Sequence, residues 1–287
     1  MQIGIGLPST IPGTEGQEVV RWARRAEERG FSSLGVIDRI VYDNYEPFIA
    51  LAGAAAVTER IRLATTILLA PSRGSAALVA KQAASLDRLS GGRLTLGMAV
   101  GGRPDDYEAA GVPMADRGAR FDAMLEEMER VWAGESRGTA GAIGPRLAKG
   151  GPEVIIGGAT DASFRRAAQY GSGWIAAGGD PQGFAELADR VKAEWARQGR
   201  DGDPRLMALA YYSLGPRAVE DARGYLSDYY AFAGVTPDMA GGMAMTDPGA
   251  LSQALDAYAA AGCDEVVLFP CSPELDQVDR LADAALV

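Results

Sequence analysis

The chain has 287 residues, 47% of them hydrophobic, a formal net charge of -10, two cysteines and no histidine. This length suits one large domain or two ordinary ones, and folding it removes roughly three quarters of the unfolded surface from water. The lack of histidine excludes Ser-His-Asp and Cys-His nucleophiles, His-ligated zinc and imidazole proton shuttles, and a pI near 4.7 speaks against nucleic acid or anionic membranes as partners.

Residues 2–7 read as a first strand that runs into Pro8 without a basic leader or long apolar stretch, so no secretory signal is expected. Thr14-Glu15-Gly16-Gln17 then has capping-box spacing. Val19, Trp22, Ala23 and Ala26 recur at the helical period, and Gly30 marks the exit. Glu15 and Glu18 near the start, with Arg24, Arg25 and Arg29 near the end, complement the helix dipole. Further strands are expected at 33–38, 61–69, 93–100, 153–157, 174–177, 205–213 and 264–269. The 61–69 run is apolar with little alternation, as for a strand covered on both faces and therefore paired in parallel. One helix closes at Leu89-Ser90-Gly91-Gly92, and Gly262 separates the helix at 250–261 from the last strand. Cys263 and Cys271 flank that strand, and about 3.3 Å per extended residue holds them roughly 26 Å apart, too far to bridge.

Eight strand segments, each followed by a helix, predict a single α/β domain over residues 1–287: a (β/α)8 TIM barrel with short insertions. The alternative, an open doubly wound sheet, usually has five or six strands. Residues 133–151 and 233–247 are too long for ordinary connections and read as insertions, lids or mobile loops. No apolar run reaches the roughly 18 residues of a membrane span, so a soluble, cytoplasmic protein is expected.

Active sites of such barrels lie at the C-terminal strand ends. The carboxylates there are Asp38, the Asp105-Asp106 pair and Asp180, too few for a metal cage. Lys81, Lys149 and Lys192 fall on helices or a loop, which disfavours Schiff-base chemistry. Gly4-Ile5-Gly6-Leu7-Pro8-Ser9 lacks the third glycine of a dinucleotide fingerprint. Ile155-Ile156-Gly157-Gly158-Ala159-Thr160 leaves a strand and enters a helix. It is either a tight turn or a set of exposed amides suited to a phosphate. A site poor in acid–base groups but holding a phosphate cradle points to a cofactor that carries the chemistry itself.

Several stretches together resemble the bacterial luciferase-like family of flavin monooxygenases and deazaflavin-dependent oxidoreductases. They are Gly30-Phe31-Ser32-Ser33-Leu34-Gly35-Val36-Ile37-Asp38, Arg60-Ile61-Arg62-Leu63-Ala64-Thr65-Thr66 and Leu86-Asp87-Arg88-Leu89-Ser90-Gly91-Gly92-Arg93-Leu94-Thr95-Leu96-Gly97. Ile156-Gly157-Gly158, Gly171-Ser172-Gly173-Trp174 and Gly262-Cys263-Asp264-Glu265-Val266-Val267-Leu268 continue the match in order along nearly the whole chain. The resemblance implies a barrel with the cofactor ring at its C-terminal mouth, backed by a non-proline cis peptide that by motif position would be Thr66–Ile67. It implies a phosphate at Gly157, Gly158 and Ala159 and near Ser172 to Trp174, where Trp174 is either core or cofactor wall. Asp38 and Arg39 would line the reacting face, with Asp105 a further cofactor contact. Arg165 and Arg166 would reach a phosphate or lie on a solvated helix face, and Met243 and Met245 would cap an apolar pocket or simply pack their loop.

The chain also departs from the family pattern. Asp38-Arg39 stands where many deazaflavin-dependent members carry Asp-His, and Gly102 where they often carry a proton-donating glutamate. Arg39 would offer fixed positive charge to a reduced ring, a peroxide adduct or an anionic substrate, or else pair with Asp38 or another carboxylate. The reading is an oxidoreductase using a deazaflavin (coenzyme F420) or FMN for hydride transfer or oxygen activation on a small organic substrate. A separate reductase would supply reduced cofactor, and a homodimer is expected as in many relatives. The alanine, glycine and arginine bias, with few lysines, suits a GC-rich genome and leans toward the deazaflavin. The alternative is a non-catalytic flavin-binding protein on the same barrel.

Overall fold

The computed structural model describes residues 1–147, 150–178 and 180–286, so Lys149 falls outside the described residues. The eight expected strands form within two residues of their expected bounds: β1 (Gln2–Gly6), β2 (Ser33–Val36), β3 (Arg62–Leu68), β4 (Leu94–Met98), β5 (Glu153–Gly157), β6 (Gly173–Ala177), β7 (Arg205–Tyr212) and, after a two-residue β8 (Ala244–Met245), β9 (Glu265–Pro270). Parallel pairing runs β6-β5-β4-β3-β2-β1-β9-β7, and β7 pairs back onto β6, which closes a TIM barrel.

Helices α1 (Gly16–Arg29), α2 (Pro47–Ala55), α3 (Ala76–Leu89), α4 (Pro104–Ala109), α5 (Arg117–Trp132), α6 (Asp161–Tyr170), α7 (Pro181–Arg197), α8 (Ala218–Tyr229), α9 (Pro237–Ala240), α10 (Pro248–Ala260) and α11 (Asp276–Ala285) connect the strands. No described helix is long and apolar enough to cross a membrane. The first capping box is Glu15 with Glu18, one residue later than the expected Thr14 start, and Gly30 ends α1 at φ 88°, a left-handed conformation open to glycine. Residues 233–247, expected as an insertion or mobile loop, contain α9 and β8. Ala240 is buried there, and Ala244 and Met245 pair with Tyr211 and Tyr212, beyond the point where β6 ends its own pairing with β7 at Leu209.

The barrel interior is filled unevenly. A Cβ on Gly6 of β1 would lie 2.3 Å from the Phe269 ring, and one on Gly35 of β2 would lie 2.6 Å from Val267 Cγ1. Bare backbone on β1 and β2 therefore faces the large side chains of β9, the complementarity a narrow barrel needs to reach crystal-like packing. At the N-terminal end the interior turns polar. Arg62 pairs with Glu153, and Arg205 bridges Glu153 and the fully buried Glu265. Thr95 Oγ1 donates to Glu153 (2.8 Å), and the Ser32 and Ser33 hydroxyls donate to Glu265 (2.6 Å each). Burial pushes the Glu153 carboxyl up, but the Arg205 and Arg62 guanidinium groups outweigh it and hold the group below its ordinary 4.5.

Two outcomes follow from this charged floor. Glu265→Ala leaves a buried guanidinium short of a partner and two serines without an acceptor, and costs about 3 kcal/mol in urea unfolding. Because the folded Glu153 pKa lies below the unfolded one, its contribution is present above about pH 4.5 and fades as pH falls toward the folded value. Glu153→Gln therefore flattens the acid limb of a Tm-against-pH curve below about pH 4.5.

Candidate active site

The C-terminal mouth is shaped by an irregularity in β3. Pairing with β4 jumps from Thr65 opposite Leu96 to Leu68 opposite Met98, so β3 carries one extra residue, and the Thr66–Ile67 peptide bond is cis. Both threonine hydroxyls are spent on neighbouring strands: Thr65 Oγ1 donates to Gly97 O (2.7 Å) and Thr66 Oγ1 to Val36 O (3.2 Å). The half-buried Ile67 occupies space that side chains on β4 and β5 would otherwise take. Its Cγ2 lies 3.1 Å from where a Gly157 Cβ would stand and 3.6 Å from that of Gly97. The wall of the mouth here is backbone.

Gly157 is buried, whereas Ala159 is exposed, and Gly158 adopts φ 122°. Thr160 caps α6 reciprocally with Ser163, Thr160 N donating to Ser163 Oγ (3.0 Å) and Ser163 N to Thr160 Oγ1 (3.3 Å). The amides of Asp161 and Ala162 meet no protein acceptor among the described residues. Trp174 takes the core position of its two readings. Its indole is fully buried against Phe164 of α6 and Phe184 of α7, in the layer between sheet and helices, and its Nε1 donates to Gly158 O (2.7 Å). It holds the glycine turn from behind. Arg165 and Arg166 do not reach the turn either, since both grip Asp122 of α5, at 3.1 and 2.6 Å. Burial pushes the Asp122 carboxyl up, and the two arginines pull it below its ordinary value.

Asp38 and Arg39 are adjacent in sequence but belong to different ion pairs. Asp38 accepts from Leu69 N and from Arg73 Nη2 (2.9 Å each), and Arg73 also pairs with Glu46. Burial pushes the Asp38 carboxyl up, only partly offset by Arg73. Arg39 reaches Asp105 (Nη2 to Oδ2, 2.9 Å) and stands 3.7 Å from Asp106. The pairing expected with another carboxylate is thus present, and Asp105 serves as that partner. Sequence reasoning missed the role of Asp106. Its fully buried Oδ1 accepts from Ile40 N and Val41 N (2.8 Å each), which pins the loop after β2. The signal available was a second carboxylate in the first turn of α4, with nothing to say which of the pair turns inward. Asp180, the remaining strand-end carboxylate, caps α7 through Gly183 N (2.9 Å).

Arg103 follows β4 and was also missed. It is 8% exposed, donates to Tyr229 O (3.2 Å) and lies 3.7 Å from the Phe232 ring, 4.6 Å from Tyr229 and 5.7 Å from Tyr230. Burial, reinforced by nearby Arg39, draws its pKa down despite the rings beneath it. The aromatic run continues inward, Tyr230 Oη bonding Tyr211 Oη (2.9 Å) and Tyr211 meeting Phe269 edge-on. Burial pushes Tyr211 and Tyr225 well above the ordinary phenol value, so they act as neutral hydroxyls. Burial likewise pushes up the Cys271 thiol, which removes it as a nucleophile. Ser9 Oγ and Ser213 Oγ, just past β1 and β7, are buried and find no partner among the described residues. Met245 is held in β8 and its carbonyl accepts from Ser213 N (3.0 Å), whereas Met243 is partly exposed.

The mouth of this parallel barrel thus offers backbone, buried hydroxyls and, Arg103 apart, paired charges. The sequence model of the luciferase-like monooxygenase family matches residues 1–264, and the chain belongs to that family. An uncharacterized protein of Mycobacterium tuberculosis is 36% identical over 199 residues, 59% of this chain and 68% of the relative. The monooxygenase RslO1 from Streptomyces bottropensis shares the fold at TM-score 0.82 and 24% identity, covering 100% of this chain and 99% of that one. An F420-dependent secondary alcohol dehydrogenase, solved with an F420-acetone adduct, superposes at TM-score 0.82 and 18% identity, covering 99% and 98%.

The two neighbouring aspartates should separate cleanly in denaturant melts. Asp106→Ala strands two loop amides and loosens Arg39, for a loss of roughly 2–4 kcal/mol. Asp105→Ala removes a carboxylate 41% exposed and leaves the buried Arg39 with Val41 O and Asp106, for a smaller loss of about 1–2 kcal/mol.

Proposed function

We propose that the chain is an oxidoreductase that binds coenzyme F420 or FMN in the C-terminal mouth and applies it to a small organic substrate, by hydride transfer or oxygen activation. One observation carries this reading: each strand-end carboxylate, Asp38, Asp105, Asp106 and Asp180, is engaged by a guanidinium or a backbone amide, so the described residues of the mouth supply no free acid–base pair. Chemistry in such a site comes from a bound cofactor.

The residues present fit that group. A Cβ on Gly158 would lie 3.1 Å from Ser163, so the turn admits only bare backbone. The free amides of Asp161 and Ala162 open a helix of ten residues, where an anion is favoured by the dipole. The Asp161 carboxylate, 91% exposed, is paired outward with Arg190 and does not close the turn. Gly158, Ala159 and these amides would hold the phosphate, and Ile67 with the backbone around it would back the ring. When bound, either cofactor supplies a reducible ring able to carry a hydride, and reduced FMN also reacts with oxygen. Trp174 keeps the phosphate turn in place, and the buried aromatic run excludes water from the barrel.

Family members use F420 or FMN, and the F420-dependent structural neighbour and the composition bias lean this reading toward the deazaflavin. A separate reductase would regenerate it. Titration of the apo-protein with each cofactor, following tryptophan fluorescence, should show micromolar or tighter quenching by one of them, with Trp174 beside the turn as the main reporter. Tight binding of neither overturns the proposal. Binding without turnover across reductants and acceptors would instead assign a non-catalytic carrier, the outcome to which Arg39 and Gly102 in place of the family's His and Glu would point.

A further inference from the structure

Arg103 stands apart from the other buried and half-buried arginines. Arg93 has no ion pair either, but its fork is filled by the carbonyls of Ser90, Ile61, Thr58 and Ala55 and the Thr58 hydroxyl. Arg39 has Asp105, and Arg73 has Asp38 and Glu46. Arg103 meets one acceptor, Tyr229 O, and among the described residues no carboxylate lies within ion-pair distance. Among the described residues its Nε and Nη2 meet no protein acceptor. Burying a charge in this way is costly unless something pairs it, and in a chain of net charge -10 the shortage is not one of carboxylates. Phe232, Tyr229 and Tyr230 fix the guanidinium by cation–π contact, which orients the charge without neutralising it.

The position gives this charge a use. Arg103 springs from the end of β4 and meets the segment that follows α8, itself after β7. In the barrel, β5 and β6 stand between those strands, so the side chain reaches across the mouth. Its ring contacts all lie on that segment and none on the turn around Gly158.

We propose that Arg103 binds the anionic group, a carboxylate or phosphate, of the small-molecule substrate that enters the mouth. A guanidinium with free edge N–H groups takes two oxygens of such an anion side by side. The substrate class of the oxidoreductase is therefore a small organic anion. This rests on the mouth being the reaction site, and a cofactor phosphate already has the amides at the start of α6.

The test is isothermal titration of the full chain with benzoate and with inorganic phosphate, each with and without saturating F420 or FMN. At least one anion should bind the native protein, with cofactor present as well as absent. Arg103→Gln should weaken that binding roughly 10- to 100-fold, with Arg103→Lys in between. Phe232→Ala removes a half-exposed ring rather than the charge, and so tests the site in a variant whose folding is secure. It should weaken binding several-fold. No binding of either anion, or equal binding by native protein and Arg103→Gln, overturns the proposal. Competition between anion and cofactor, with Arg103→Gln weakening both alike, assigns the arginine to the cofactor and also overturns it. If neither cofactor binds while the Arg103-dependent anion site persists, the cofactor reading falls and this one stands.

Discussion

The structure depends on the missing side chains of Gly97 and Gly157. With any larger residue there, β4 and β5 would press on β3. A Cβ on Gly97 would sit 2.1 Å from Thr65 O, and one on Gly157 3.1 Å from Ile67. Their absence lets β3 take an extra residue, turn Ile67 into the mouth and still close the barrel. The same logic runs lower down, where Gly6 and Gly35 yield to Phe269 and Val267. The barrel is a half-shell of backbone packed against a half-shell of large side chains, and the mouth inherits that asymmetry.

Charge is arranged around this frame in two ways. At the floor, Arg62, Glu153, Arg205 and Glu265 form one connected ion-pair network. At the rim, Asp38 and Asp106 are turned to loop geometry, holding Leu69 N in one case and the Ile40 and Val41 amides in the other. They stiffen the loops that follow β2 and β3. Arg103 is the exception, restrained by aromatic faces.

The barrel was legible in the sequence because parallel strands buried on both faces read as unbroken apolar runs between helices with clear caps, as in 61–69 and the α1 segment. The glycine turn was legible as a bare strand-to-helix junction, whereas its preference for a phosphate and the Thr66–Ile67 bond came from resemblance of motif. What failed was direction. Trp174 begins a strand, and the period of two does not say which face is the helix side. Its neighbours Phe164 and Phe184, on the helices before and after the strand, decide that. Asp105 and Asp106 posed the same problem at one residue's remove. Arg103 was hidden because its partners are rings from more than a hundred residues away, and cation–π pairing leaves no spacing signature.

The pairing of β8 with the top of β7 has a mechanical corollary. The segment carrying Tyr229, Tyr230 and Phe232 is anchored at one end by α8 and at the other by main-chain bonds, including Ser213 N to Met245 O. To swing aside as a flap it would have to give up those bonds, whereas turning the half-exposed Phe232 needs only a change of rotamer. Movement in this segment is therefore confined to its side chains, with the backbone held at both ends.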